Sequence, residues 1–157
     1  MASPVLRAIV GTAPTVAPVS TASPLYASPA MGLSVRYPAG WTYVPLAQAP
    51  VYYGVSFYPP GADPSEPSAA ITFNLNTTSR YDASNATPPL TTRPQPFTVG
   101  SIIGRNYESA ALPIPTENYS IELPFRGGTL LITATEGPDV NYVPQLRAML
   151  PTLVPTP

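Results

Sequence analysis

The chain has 157 residues, 44% of them hydrophobic, with 24 prolines, seven arginines, no lysine, histidine or cysteine, and a net charge of −1. This excludes a disulfide framework, a thiolate metal site, a cysteine nucleophile, an imidazole base and a Schiff-base lysine. It also leaves no basic field to hold a phosphate backbone, so nucleic acid is not an expected partner.

The length suits one domain with a sizeable core. No apolar run reaches the roughly 18 residues that span a bilayer. Residues 6–11 are too short for the apolar core of a signal peptide, so any export signal is expected to have been removed already. Residues 1–31 mix Pro4, Pro14, Pro18, Pro24 and Pro29 with Ala, Ser, Thr and Val, a composition that favours extended conformations. They read as a Pro-rich arm or linker. Val5, Leu6, Ile9 and Val10 are its apolar anchors, candidates for contact with a protein partner. With the core expected to start near Leu33, deleting residues 1–28 should leave the domain's thermal midpoint nearly unchanged yet weaken assembly with the partner.

The folded part, residues 32–154, opens with Leu33, Val35 and Tyr37 alternating with Ser34 and Arg36, the period of a half-buried strand. Pro38, Ala39 and Gly40 stop it, and Trp41 follows as a core anchor. Residues 51–58 read as a strand with Val51, Tyr53, Val55 and Phe57 on one face and Tyr52, Gly54, Ser56 and Tyr58 on the other. Tyr52 and Tyr58 are candidates for an aromatic contact surface, because tyrosine supplies large area at low entropic cost; cross-strand packing is the plainer alternative. Residues 69–76 alternate most clearly, with Ile71, Phe73 and Leu75 inward. Residues 77–96 carry four prolines and little apolar content, a long irregular excursion of the kind that holds function or a partner contact. Glycines inside residues 97–111 predict two strand halves around Gly104. Residues 118–125 and 129–136 predict a hairpin turned by Arg126, Gly127 and Gly128. Leu146, Met149, Leu150 and Leu153 lie at helical spacing over residues 144–153, and residues 155–157 form a tail.

The motif G-[LF]-S-V-x-Y-P-x-G-W at residues 32–41 resembles the start of PsbP-like domains, a family that includes bacterial exported lipoproteins and DcrB-like proteins. Thr98-Val99-Gly100 with Gly104-Arg105, the hairpin of residues 117–136 and Leu150-Pro151-Thr152-Leu153 continue the resemblance over residues 32–154. It implies an α+β fold, an antiparallel β-sheet with a C-terminal helix in a PsbP-like α-β-α sandwich. Helix content is expected to be reduced, since residues 76–97 lack the helical stretch common in relatives. Photosynthetic relatives are extrinsic subunits of a membrane complex and nuclear ones bind a small GTPase, so the fold alone does not fix a function.

Only carboxylates, tyrosines, hydroxyls and arginines remain for chemistry. Glu117 and Glu122 are five residues apart on one strand and face opposite ways, a poor acid–base pair. Glu117, Glu122, Glu136 and Asp139 all read as solvated charge, and Glu136, Asp139 and Asn141 lack the spacing of an EF-hand. Residues 100–104 form neither a phosphate loop nor a nucleophile elbow. Asn76, Asn85 and Asn118 head glycosylation sequons. No catalytic residue, metal or cofactor is expected. The sequence points to a non-catalytic, exported accessory subunit or interaction module that docks on a membrane-associated assembly. By resemblance that assembly would be a photosynthetic or electron-transfer complex. The alternative is a carrier for a small apolar ligand, with a cavity lined by Trp41, Tyr53, Phe73 and Phe125. The expected location is extracytoplasmic, in the periplasm or on the outer surface, with a membrane tether before processing as one option.

Overall fold

The computed structural model describes residues 19–46, 52–63, 69–81, 93–108, 116–137 and 140–156. In chain order the strands are β1 (Leu25–Ser28), β2 (Leu33–Arg36), β3 (Thr42–Pro45), β4 (Tyr52–Tyr58), β5 (Ile71–Asn76), β6 (Gln95–Val99), β7 (Ile102–Glu108), β8 (Thr116–Phe125), β9 (Gly128–Gly137) and β10 (Val140–Asn141). Helix α1 (Val143–Met149), a 3₁₀ turn (Leu150–Thr152) and β11 (Val154–Pro155) follow. The strands make two antiparallel sheets. The small one has the order β1-β2-β11, and the large one β3-β4-β5-β9-β8-β7-β6, with β10 paired to β9.

Alternation decides which face of the large sheet is buried. Val55, Phe57, Ile71, Phe73, Leu75, Ile121, Leu123, Leu130 and Ile132 are fully inaccessible on one face, as period-two side chains on adjacent strands require. The small sheet adds Leu33 and Val35, and α1 adds Leu146 and Met149, to the same cluster. Tyr26 of β1 meets Phe57 edge-on at 5.9 Å, and Trp41 meets Tyr142 edge-on at 5.7 Å, the geometry that aromatic quadrupoles favour. Trp41 is buried, as its place after the first turn predicts.

The α+β, PsbP-like α-β-α sandwich is overturned. Among the described residues 56% are in strands and 9% in helix, with one short α-helix, which defines a β-rich fold of two sheets. The motif at residues 32–41 folds as a strand and a turn, a local unit that many antiparallel architectures can hold. The seven residues of α1, ended before Pro151, cover only part of one sheet face.

Three further expectations are corrected. Residues 25–28, placed in the arm, form β1: Tyr26 is buried, and the Tyr37 amide donates to the Pro24 carbonyl at 3.0 Å. Pro24 and Pro29 flank the strand rather than interrupt it, so they cost no ladder bond. The chain reverses at Gly100 (φ +60°) between β6 and β7, not at Gly104. Gly104 lies inside β7, where a Cβ would collide with the Glu122 carbonyl oxygen; it is there for the close approach of β8. The C-terminal helix begins at Val143 and gives way to the 3₁₀ turn at Leu150. The β8–β9 hairpin matches its prediction and turns on Arg126 (φ +50°) and Gly127 (φ +77°), two successive positive φ values as a two-residue type I′ turn demands.

Candidate functional site

The face of the large sheet opposite the core carries the polar half of each alternation. One rung across it runs Gly54, Asn74, Leu131, Glu122 and Arg105 on β4, β5, β9, β8 and β7. The next runs Tyr52, Asn76 and Thr129. A pocket of about 360 Å³ lies over these rungs, lined also by Ser79, Arg80 and Tyr81. Gly54 leaves room beside it for the Asn74 amide and for Leu46, since a Cβ there would press on Asn74 Oδ1 at 2.6 Å and on Leu46 at 2.7 Å.

Cross-strand register builds the charged wall. Arg105 stands opposite Glu122, and its Nε and Nη2 donate to Glu122 Oε2 at 2.9 and 2.6 Å. The Tyr107 hydroxyl donates to Glu122 Oε1 at 2.5 Å. The Arg105 and Glu122 side chains are only 12% and 19% exposed, so these charge-assisted bonds are screened less than a surface pair. Burial, then the bond to Glu122 and its negative charge, push the Tyr107 hydroxyl up to about 12. It therefore remains a donor across the neutral range.

The opposite rim is set by an Asx turn. Asn76 Oδ1 accepts from the Thr78 amide, the Thr78 hydroxyl and the Ser79 amide at 2.9–3.0 Å, the short-range bonding that asparagine favours over continuing a strand. The Thr129 hydroxyl donates to the Ser79 carbonyl at 2.7 Å and fastens the turn to β9. This turn delivers Arg80 and Tyr81 to the pocket, where the Arg105 guanidinium lies 5.5 Å from the centre of the Tyr81 ring, within cation–π range.

Of the sequence-predicted site residues, Val5, Leu6, Ile9 and Val10 lie outside the described residues. Tyr52 is 49% exposed at the pocket, whereas Tyr58, on the same face of β4, is 6% exposed. The two therefore form no shared aromatic surface. Trp41, Phe73 and Phe125 are buried in the core and Tyr53 packs against it. Phe73 meets Phe57 edge-on at 5.8 Å, so these rings fill the interior.

Glu122, expected to be solvated, is instead bonded through both oxygens. Glu136 is held above the usual carboxylate range, first by desolvation and then by its hydrogen bond to Glu108 and that group's charge. Asp139 and the Glu117 side chain lie outside the described residues. Asn118 is buried, which closes its sequon in the folded chain. The residues that sequence reasoning missed are Asn74, Asn76, Arg80, Tyr81, Arg105 and Tyr107. Asn74 and Asn76 could have been found as the polar partners of Phe73 and Leu75 in one strand.

Among the described residues no group of three or more acids could hold a metal ion, and no helix is long and apolar enough to cross a membrane. No family model matches the chain, and no curated protein matches it. A solved structure from Bacteroides thetaiotaomicron VPI-5482 resembles it at a TM-score of 0.45 and 11% identity, over 86% of this chain and 49% of that one. This chain thus spans about half the length of that protein, and a likeness this weak transfers neither fold nor activity.

Proposed function

We propose that the chain is a non-catalytic interaction module of an assembly outside the cytoplasm. Its Pro-rich N-terminal stretch docks it to a membrane-associated protein partner, and the pocket over β4, β5, β9, β8 and β7 is its recognition site. The observation that carries this reading is the fixing of Glu122 through both oxygens: Arg105 binds one carboxylate oxygen and Tyr107 the other. A carboxylate held this way is a rigid wall of the pocket, and the chain has no histidine, cysteine or lysine for general-base or nucleophilic work. Packed rings at the positions where the carrier alternative requires a cavity favour this reading over a carrier for a small apolar ligand.

The arm supports docking through its composition. Proline lowers the entropy lost when an extended chain is ordered, and Val5, Leu6, Ile9 and Val10 supply apolar anchors that a bare spacer would not need. The test is affinity purification of the full chain from native membranes, beside a variant with these four residues changed to serine. A stoichiometric protein partner should be recovered with the natural chain and depleted with the variant. Equal recovery would contradict docking through the arm.

A further inference from the structure

We propose that the open-face pocket binds an anionic saccharide, a sugar ring bearing a carboxylate of the uronic-acid type; this rests on the reading of the pocket as a binding site rather than a catalytic one. Charge is the first support. Among the described residues the ionic groups lining the pocket are Arg80, Arg105 and Glu122. Glu122 and Arg105 neutralise each other, which leaves the exposed guanidinium of Arg80 to set the sign. The positive charge that the described lining residues carry, on a chain of net charge −1, selects an anion locally without making the whole surface basic.

The rest of the lining says what kind of anion. Tyr52, Tyr81 and Leu131 offer apolar and aromatic surface, and Asn74, Asn76, Ser79 and Thr129 offer amides and hydroxyls. A sugar ring presents these same two aspects, an apolar C–H face that packs on an aromatic ring and an edge of hydroxyls that both donate and accept. A bare inorganic anion would use donors alone and leave the aromatic faces idle. Asn76 spends its Oδ1 on the turn, so its Nδ2 remains as a donor. The volume of about 360 Å³ lies at the small end of ligand pockets, about 300–1,000 Å³.

Isothermal titration of the full chain with trigalacturonate, maltotriose and triglutamate, at low and moderate salt, tests the assignment. Tyr52 and Arg80 are exposed, so Tyr52→Ala and Arg80→Gln can be compared with the natural chain after circular dichroism confirms their folding. Trigalacturonate should bind, with maltotriose at least about tenfold weaker. Arg80→Gln should lose about tenfold and most of the salt dependence, and Tyr52→Ala should weaken all sugar binding. Absence of trigalacturonate binding, or binding indifferent to both substitutions, would overturn the proposal. Triglutamate binding as tightly through Arg80 would overturn it too and give the pocket to acidic peptides. Cleavage of bound trigalacturonate would leave the ligand class standing and overturn the non-catalytic reading instead.

Discussion

The hydroxyl of Tyr107 and the carboxylate of Glu122 are 2.5 Å apart on neighbouring strands, the tyrosine donating to the one carboxylate oxygen that Arg105 leaves open. Desolvation and the Glu122 charge raise the tyrosine to about 12. Because the folded chain holds this proton more tightly than the unfolded chain, whose tyrosine has its ordinary value of 10.0, stability should fall as pH rises through the window from 10 to 12. Absorbance titration of the natural chain minus Tyr107→Phe should isolate a tyrosine with a midpoint near 12. Glu122→Gln should move that midpoint down. A difference curve centred at 10 would show that the bond is not made in solution.

Glu136 gives the acid-side counterpart. Its folded value is raised above 4.5 by desolvation and by Glu108. Below 4.5 both folded and unfolded chains are protonated and the group costs nothing. As pH rises through the raised folded value, the folded state gives up a proton that it binds more tightly than the unfolded state, and stability falls. Glu136→Gln should therefore raise the urea midpoint at pH 7 and leave it nearly unchanged at pH 4. Equal shifts at both pH values would contradict the Glu108–Glu136 interaction.

Gly104→Ala tests the close approach of β7 and β8. The added methyl would collide with the Glu122 carbonyl oxygen and press on Leu123, and backbone cannot swing aside as a long side chain can. A loss of about 1–3 kcal/mol is expected, read from chemical denaturation. An unchanged midpoint would mean that the two strands are farther apart than described.

Deleting residues 1–28 now carries the opposite expectation from the one its composition suggested. It removes β1, the buried Tyr26 and its edge-on contact with Phe57, so the thermal midpoint should drop by several degrees, an aromatic core truncation being worth about 3–5 kcal/mol. A midpoint equal to that of the full chain would return residues 25–28 to the arm.

The alternation of Leu33 with Val35, of Ile71 with Phe73 and Leu75, and of Ile121 with Leu123 made the core strands legible in sequence, because burial of one face leaves a period of two. The hairpin was legible too, since Arg126-Gly127-Gly128 supplies positive φ where a tight turn needs it. β1 was hidden because prolines at both ends of a four-residue strand look like linker composition. The layer architecture was misjudged because a ten-residue strand-and-turn motif says little about what covers the sheet. The site was the least legible part. Arg105, Tyr107 and Glu122 converge only through the register of β7 on β8, and register is set by pairing across 17 residues that no local pattern encodes.

The central claim is that recognition happens on the open face, and amide chemical shifts of isotope-labelled protein titrated with trigalacturonate test it most directly. Saturable shifts should concentrate at Tyr52, at Asn74 through Tyr81 and at Thr129 and Leu131, and should vanish in Arg80→Gln. Shifts gathered elsewhere, for example at the exposed Leu25 and Val154 of the small sheet, or none at millimolar ligand, would contradict the claim.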